Sequence, residues 1–114
     1  ALSELAIAIK NDPTNPKAPF WRFLVGDLNF HLGTTGRAVE DLRQSVLAAS
    51  AMEPKPPWLP KANFYLGEAL RPIDKEGSIR AFREFLDHSL GTTDPARREA
   101  KISLAEMGSP YGGP

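Results

Sequence analysis

The residues that could do chemistry are few and poorly placed for it. His31 and His88 lie far apart, and neither has a second ligand at metal-binding spacing. They read as solvent-facing or groove-lining imidazoles. Gly33-Thr34-Thr35-Gly36-Arg37 could turn backbone N–H groups toward an anion at a helix start. It lacks the Lys-Ser/Thr pair of a phosphate loop and reads as an inter-helix turn. Glu40-Asp41 and the pair Glu99/Glu106 read as solvated helix surface rather than paired catalytic carboxylates. Ser45, Ser50, Ser78, Ser89 and Ser103 have no His–Asp partners and no nucleophile elbow around them. The expectation is a non-catalytic chain, with no catalytic residue, no cofactor and no metal.

Composition points the same way. The 114 residues fit one domain. Fourteen basic and fourteen acidic residues give a formal charge of zero, which offers no footprint for nucleic acid. No apolar run approaches the roughly 20 residues of a membrane span, so direct membrane insertion is not expected. The absence of cysteine removes disulfides and thiolate metal sites without assigning a compartment, cytoplasmic or periplasmic. The chain opens directly into a helical pattern without an initiator Met, as a piece of a longer protein would.

The elements are helices throughout, because no period-two run of β-branched residues competes. Apolar spacing and stop signals predict six: residues 1–11, 17–32, 37–52, 60–70, 75–89 and 95–107. Thr34 or Thr35 is the expected cap of the third, and Asp94 followed by Pro95 the start of the sixth. Pro54, Pro56, Pro57 and Pro60 stiffen the connection 53–60, with Trp58 either packed on its own domain or offered to an aromatic groove. Residues 109–114 read as a flexible tail.

Two glycines stand inside helices, Val25-Gly26 and Leu66-Gly67. Glycine there costs about 1 kcal/mol against alanine, so a close helix crossing is expected at each. Each is followed by a second helix of one pattern: Ala38-Val39-Glu40-Asp41-Leu42-Arg43-Gln44-Ser45-Val46 and Ser78-Ile79-Arg80-Ala81-Phe82-Arg83-Glu84-Phe85-Leu86. Repeated helix pairs predict an all-α solenoid, a fold used mostly for binding surfaces.

These residues, with the junction Ala8-Ile9-Lys10-Asn11-Asp12-Pro13-Thr14-Asn15-Pro16 and the core Leu66-Gly67-Glu68-Ala69-Leu70, resemble the tetratricopeptide repeat family in a degenerate, bacterial-looking form. The resemblance covers most of the chain: a last helix at 1–12, repeats at 16–52 and 60–90, and a capping helix at 94–108. The two glycines stand 41 residues apart, and Val39 and Ile79 stand 40 apart, against the family's usual period of roughly 34. The excess falls in the Pro-rich connection. Arg22, Asn29, Asn63 and Leu70 occupy slots where the family often carries first-helix aromatics.

The resemblance implies that first helices line a concave groove holding a peptide or a partner's helix, within a larger scaffold or assembly protein. The partner-binding residues it implies are Phe23, Asp27, Phe30, His31, Lys61, Phe64, Glu68 and Arg71, with Phe20 beside them. For Phe20, Phe23 and Phe64 the competing expectation is core. Asp27 and Glu68 at the middle of that surface favour a mixed or basic ligand over a strongly acidic one. The second reading is a structural spacer, or self-association through the end helices and the apolar positions Leu2, Leu5 and Ile9.

Overall fold

The computed structural model describes residues 2–113; Ala1, Pro114 and the Leu2 side chain lie outside the described part. Six helices follow one another with no strand among the described residues: α1 (Leu2–Asn11), α2 (Ala18–His31), α3 (Thr35–Ser50), α4 (Leu59–Leu70), α5 (Lys75–Asp87) and α6 (Ala96–Glu106). Each helix packs against its neighbour in the chain, and α2 also touches α4.

Local chemistry sets the boundaries. Between α1 and α2 the Asn15 side-chain amide donates to Asp12 Oδ2 at 2.9 Å, and Asn15 Oδ1 accepts from the Lys17 N–H at 2.8 Å. That pair closes the turn ahead of Pro19 in the first turn of α2. Asp74 caps α5 by accepting from the Gly77 N–H at 3.0 Å. Asp94 does the same for α6, its Oδ1 accepting from the Ala96 N–H at 2.9 Å, although the regular helix starts one residue after Pro95. Thr34 holds the cap position of α3 but makes no side-chain cap bond.

Both glycine crossings are present. A Cβ at Gly26 would stand 2.7 Å from Leu42 Cγ on α3, and one at Gly67 would stand 2.9 Å from the Phe82 ring on α5. Leu42 and Phe82 are fully buried and hold matching places in the two second-helix motifs. The α4–α5 crossing carries one further bond: the Ser78 hydroxyl donates to the Gly67 carbonyl at 2.7 Å. Glycine lets the two backbones approach closely enough for that bond to form.

The apolar interior forms two linked clusters. One joins α2 to α5 through Phe23, Leu42, Leu66, Leu70 and Ala81. The other gathers Phe64, Phe82, Phe85, Leu86 and Leu104 beneath α6. Tyr65 packs against both. Trp58 stacks on Phe23 with ring centres 5.3 Å apart and lies 5.9 Å from Phe20. The Pro-rich connection is therefore pinned to its own domain by this Trp.

One surface expectation changes. Asp41 is half-buried, not solvated, because it faces α2, where Arg22 attracts it and the buried Asn29 hydrogen-bonds it. Burial is the largest influence and raises its carboxyl above the usual range despite both partners. Within the stretch expected as a tail, residues 109–111 make contacts with α5. Arg83 donates to the Ser109 Oγ at 2.8 Å, and the Tyr111 hydroxyl donates to Asp87 at 2.7 Å.

Candidate functional site

Three alternate helices, α2, α4 and α6, share one face of the molecule, and most of the sequence-derived partner residues fall on it. On α4 the face is Lys61, Tyr65 and Glu68, at i, i+4 and i+7, followed by Arg71. On α2 it is Asp27, Phe30 and His31. On α6 it is Glu99, Ser103 and Glu106, preceded by Asp94.

Two ion pairs tie α6 to α4. Lys61 Nζ lies 2.8 Å from Asp94 Oδ2. Arg71 donates to Glu106 Oε1 at 2.7 Å and to the Ser103 Oγ at 3.0 Å. Lys61 and Arg71, expected as open groove cations, are thus already occupied in joining helices. Lys61 with the Ala96 N–H holds the Asp94 carboxyl below its ordinary range. Arg71→Ala removes both long-range contacts of one side chain. It is expected to loosen α6, speeding amide exchange over residues 99–106 while α2 and α3 stay protected. Its stability cost is expected at about 1 kcal/mol, because the Glu106 pair is exposed to water.

Phe23 and Phe64 are core: 8% and 6% exposed, each inside an apolar cluster. Phe20 is 39% exposed at the edge of the Trp58 stack. Phe30 is half-buried and His31 exposed, and both meet Tyr65. The Phe30–Tyr65 ring centres are 5.7 Å apart, and the His31–Tyr65 and Phe30–His31 centres 5.5 Å and 5.4 Å apart, edge to face. His31 Nδ1 sits 2.8 Å from both the Asp27 carbonyl and Asp27 Oδ1. Nδ1 hydrogen-bonds the carbonyl, and the same nitrogen stands at ion-pair distance from the buried Oδ1.

Electrostatics on this face lean negative. Lys61 and Arg71 are matched by Asp94 and Glu106, which leaves Glu68 and Glu99, and Asp27 beside the His31 ring. Among the described residues neither Glu68 nor Glu99 has a hydrogen-bond or ion-pair partner. Burial first, then the Glu99 carboxylate, raise the Glu68 carboxyl above its usual range, with Arg71 opposing. Burial and the charges of Asp27 and Asp94 likewise raise the Tyr65 hydroxyl, against Lys61.

A pH dependence follows. Glu68 holds its proton more tightly folded than unfolded. Its contribution to stability is therefore full below its ordinary value of 4.5 and is lost as pH rises through the raised folded value. Asp94 acts oppositely: its contribution stands above 3.8 and is lost as pH falls below that. Glu68→Gln is expected to raise stability at pH 7 by about a few tenths of a kcal/mol given partial exposure, with a correspondingly higher Tm, and to give no gain near pH 4. Paired melts at the two pH values check this.

Tyr65 and Glu99 are the residues that sequence reasoning left out of the site. Tyr65 was legible, being four residues after Lys61 and three before Glu68 on one helical face. Glu99 became a neighbour of Glu68 only through the packing of α6 on α4.

The described residues hold no group of three metal-ligating side chains, and no helix among them is long and apolar enough to cross a membrane. Fold and site define an all-helical chain of packed adjacent helix pairs. Comparison with protein-family models, with curated proteins and with solved structures finds no match to this chain.

Proposed function

We propose that this chain is a non-catalytic protein-interaction module, a tetratricopeptide-like α-solenoid whose α2–α4–α6 face takes a peptide or a partner's helix. The observation that carries the reading is the recurrence of one crossing. Gly26 meets Leu42 and Gly67 meets Phe82 at matching places in two successive helix pairs. Such a repeat sets alternate helices side by side, and side chains reach from α2 to α4 and from α4 to α6. Extended faces of stacked first helices suit elongated ligands.

The test is selective loss. Asp27→Ala with Glu68→Ala alters the face without touching the ion pairs that hold α6. Glu40→Ala with Arg80→Ala alters exposed positions on α3 and α5. A protein retained from source lysate by the unaltered chain should be lost by the first variant and kept by the second. Equal retention by both variants would remove this face from the function.

The spacer or self-association reading draws on a different surface. Ile7 on α1 is 58% exposed, and Leu28 and Leu32, in and just after α2, are also open to solvent. A monomer in sedimentation at high concentration counts against it.

A further inference from the structure

We propose that the α2–α4–α6 face recognises a basic, arginine-bearing peptide segment, with a guanidinium seated on the Tyr65, Phe30 and His31 rings between the Asp27 and Glu68 carboxylates. The inference rests on the interaction-module reading and adds the chemistry of the ligand.

Acidic residues alone are common on helices and would carry nothing here. The distinguishing feature is their arrangement around three mutually touching rings from two helices, all centre distances between 5.4 and 5.7 Å. Aromatic faces are electron-rich and attract cations, and a planar guanidinium can stack on a ring while donating to carboxylates at its edges. Asp27 lies beside the His31 ring, its Oδ1 2.8 Å from Nδ1. Asp27 precedes Phe30 and His31 by about one helical turn, and Glu68 follows Tyr65 by three residues.

Glu68 and Glu99 have unused capacity. The Asp27 side chain is 32% exposed, with its Oδ1 buried against His31 Nδ1. Glu68 and Glu99 repel each other across the α4–α6 junction, with Arg71 already spent on Glu106 and Ser103. A ligand cation would relieve that repulsion. The chain as a whole is neutral, so the negative character is local to this face rather than a property of the whole surface. An acidic peptide would meet three like charges with both nearby cations already neutralised.

The discriminating experiment is fluorescence anisotropy with three capped, dye-labelled peptides of equal length: alternating arginine–alanine, citrulline–alanine and glutamate–alanine. Citrulline keeps the planar shape and loses the charge. The full chain should bind the arginine peptide saturably, more weakly as salt rises, and the other two at least about tenfold more weakly. Asp27→Asn/Glu68→Gln/Glu99→Gln should weaken arginine-peptide binding about tenfold or more, and Tyr65→Leu should weaken it with all charges intact. Glu40→Gln/Glu76→Gln, on exposed positions of α3 and α5, should leave it within about twofold. Circular dichroism confirms that each variant is folded.

Preference for the citrulline or glutamate peptide, still lost on changing the face, would overturn the basic-ligand inference and leave the interaction face standing. Unchanged binding in the carboxamide triple would overturn the inference and count against the face too. Absence of binding by all three peptides overturns the inference alone. Self-association of the unaltered chain that disappears in the triple would name a second copy, not a basic peptide, as the occupant.

Discussion

Gly67→Leu is expected to destabilise the fold by about 2 kcal/mol, despite placing a strong helix former in the middle of a helix. Leucine in place of glycine is worth up to about 1 kcal/mol of helix propensity in the stabilising direction. The crossing opposes it. A Cβ alone would stand 2.9 Å from two atoms of the Phe82 ring, and Phe82 is fully buried. The rest of the leucine must push α4 and α5 apart, and overpacking of this kind typically costs about 1–3 kcal/mol. Separation also stretches the 2.7 Å bond from the Ser78 hydroxyl to the Gly67 carbonyl. Gly26→Leu is expected to cost at least as much, because the Leu42 backbone nitrogen is itself 3.2 Å from the new Cβ. Urea denaturation of both variants measures this. An unchanged midpoint at Gly67 would mean that the α4–α5 crossing is not close.

Phe82→Ala carries the largest single cost, about 3–5 kcal/mol. The ring is fully buried where α4, α5 and α6 meet, and its centre lies 5.9 Å from that of Phe64. Its removal leaves a cavity that Gly67, with no side chain, cannot fill. A fall in Tm of more than roughly 10 °C is expected. Combining it with Gly67→Leu gives a sharper result. The leucine would grow into the space the phenylalanine vacated, so the double variant should be more stable than the summed single costs by about 1 kcal/mol or more. Strict additivity would place the two residues out of contact.

Much of this fold can be read from local signals. Six helices follow from apolar spacing together with Pro and Gly punctuation, and their ends fall within about two residues of the expected ones. The in-helix glycines mark both crossings, because glycine at such a position is costly unless a neighbour needs the room. Asp94 was legible as a capping side chain because its cap bond reaches only two residues along the chain.

Features set by tertiary packing were less visible. Lys61 and Arg71 look like free groove cations in sequence, and only the arrival of α6 shows them paired with Asp94 and Glu106. Asp41 looks solvated until Arg22 and Asn29 are brought against it. The stretch from Ser109 is rich in Gly and Pro, yet Ser109 and Tyr111 bond Arg83 and Asp87, more than twenty residues away. Phe23 and Phe64 fit both a groove and a core until their burial is known.

The central claim is that α2, α4 and α6 together present the binding face. Amide hydrogen exchange on the chain, free and with the partner it retains from lysate, tests it most directly. The account predicts added protection at exposed-face positions around 27–31, 65–71 and 98–106, with α3 and the outer side of α5 unchanged. Protection confined to α1 and the region around Leu28 and Leu32, or to α3 and α5, would contradict it.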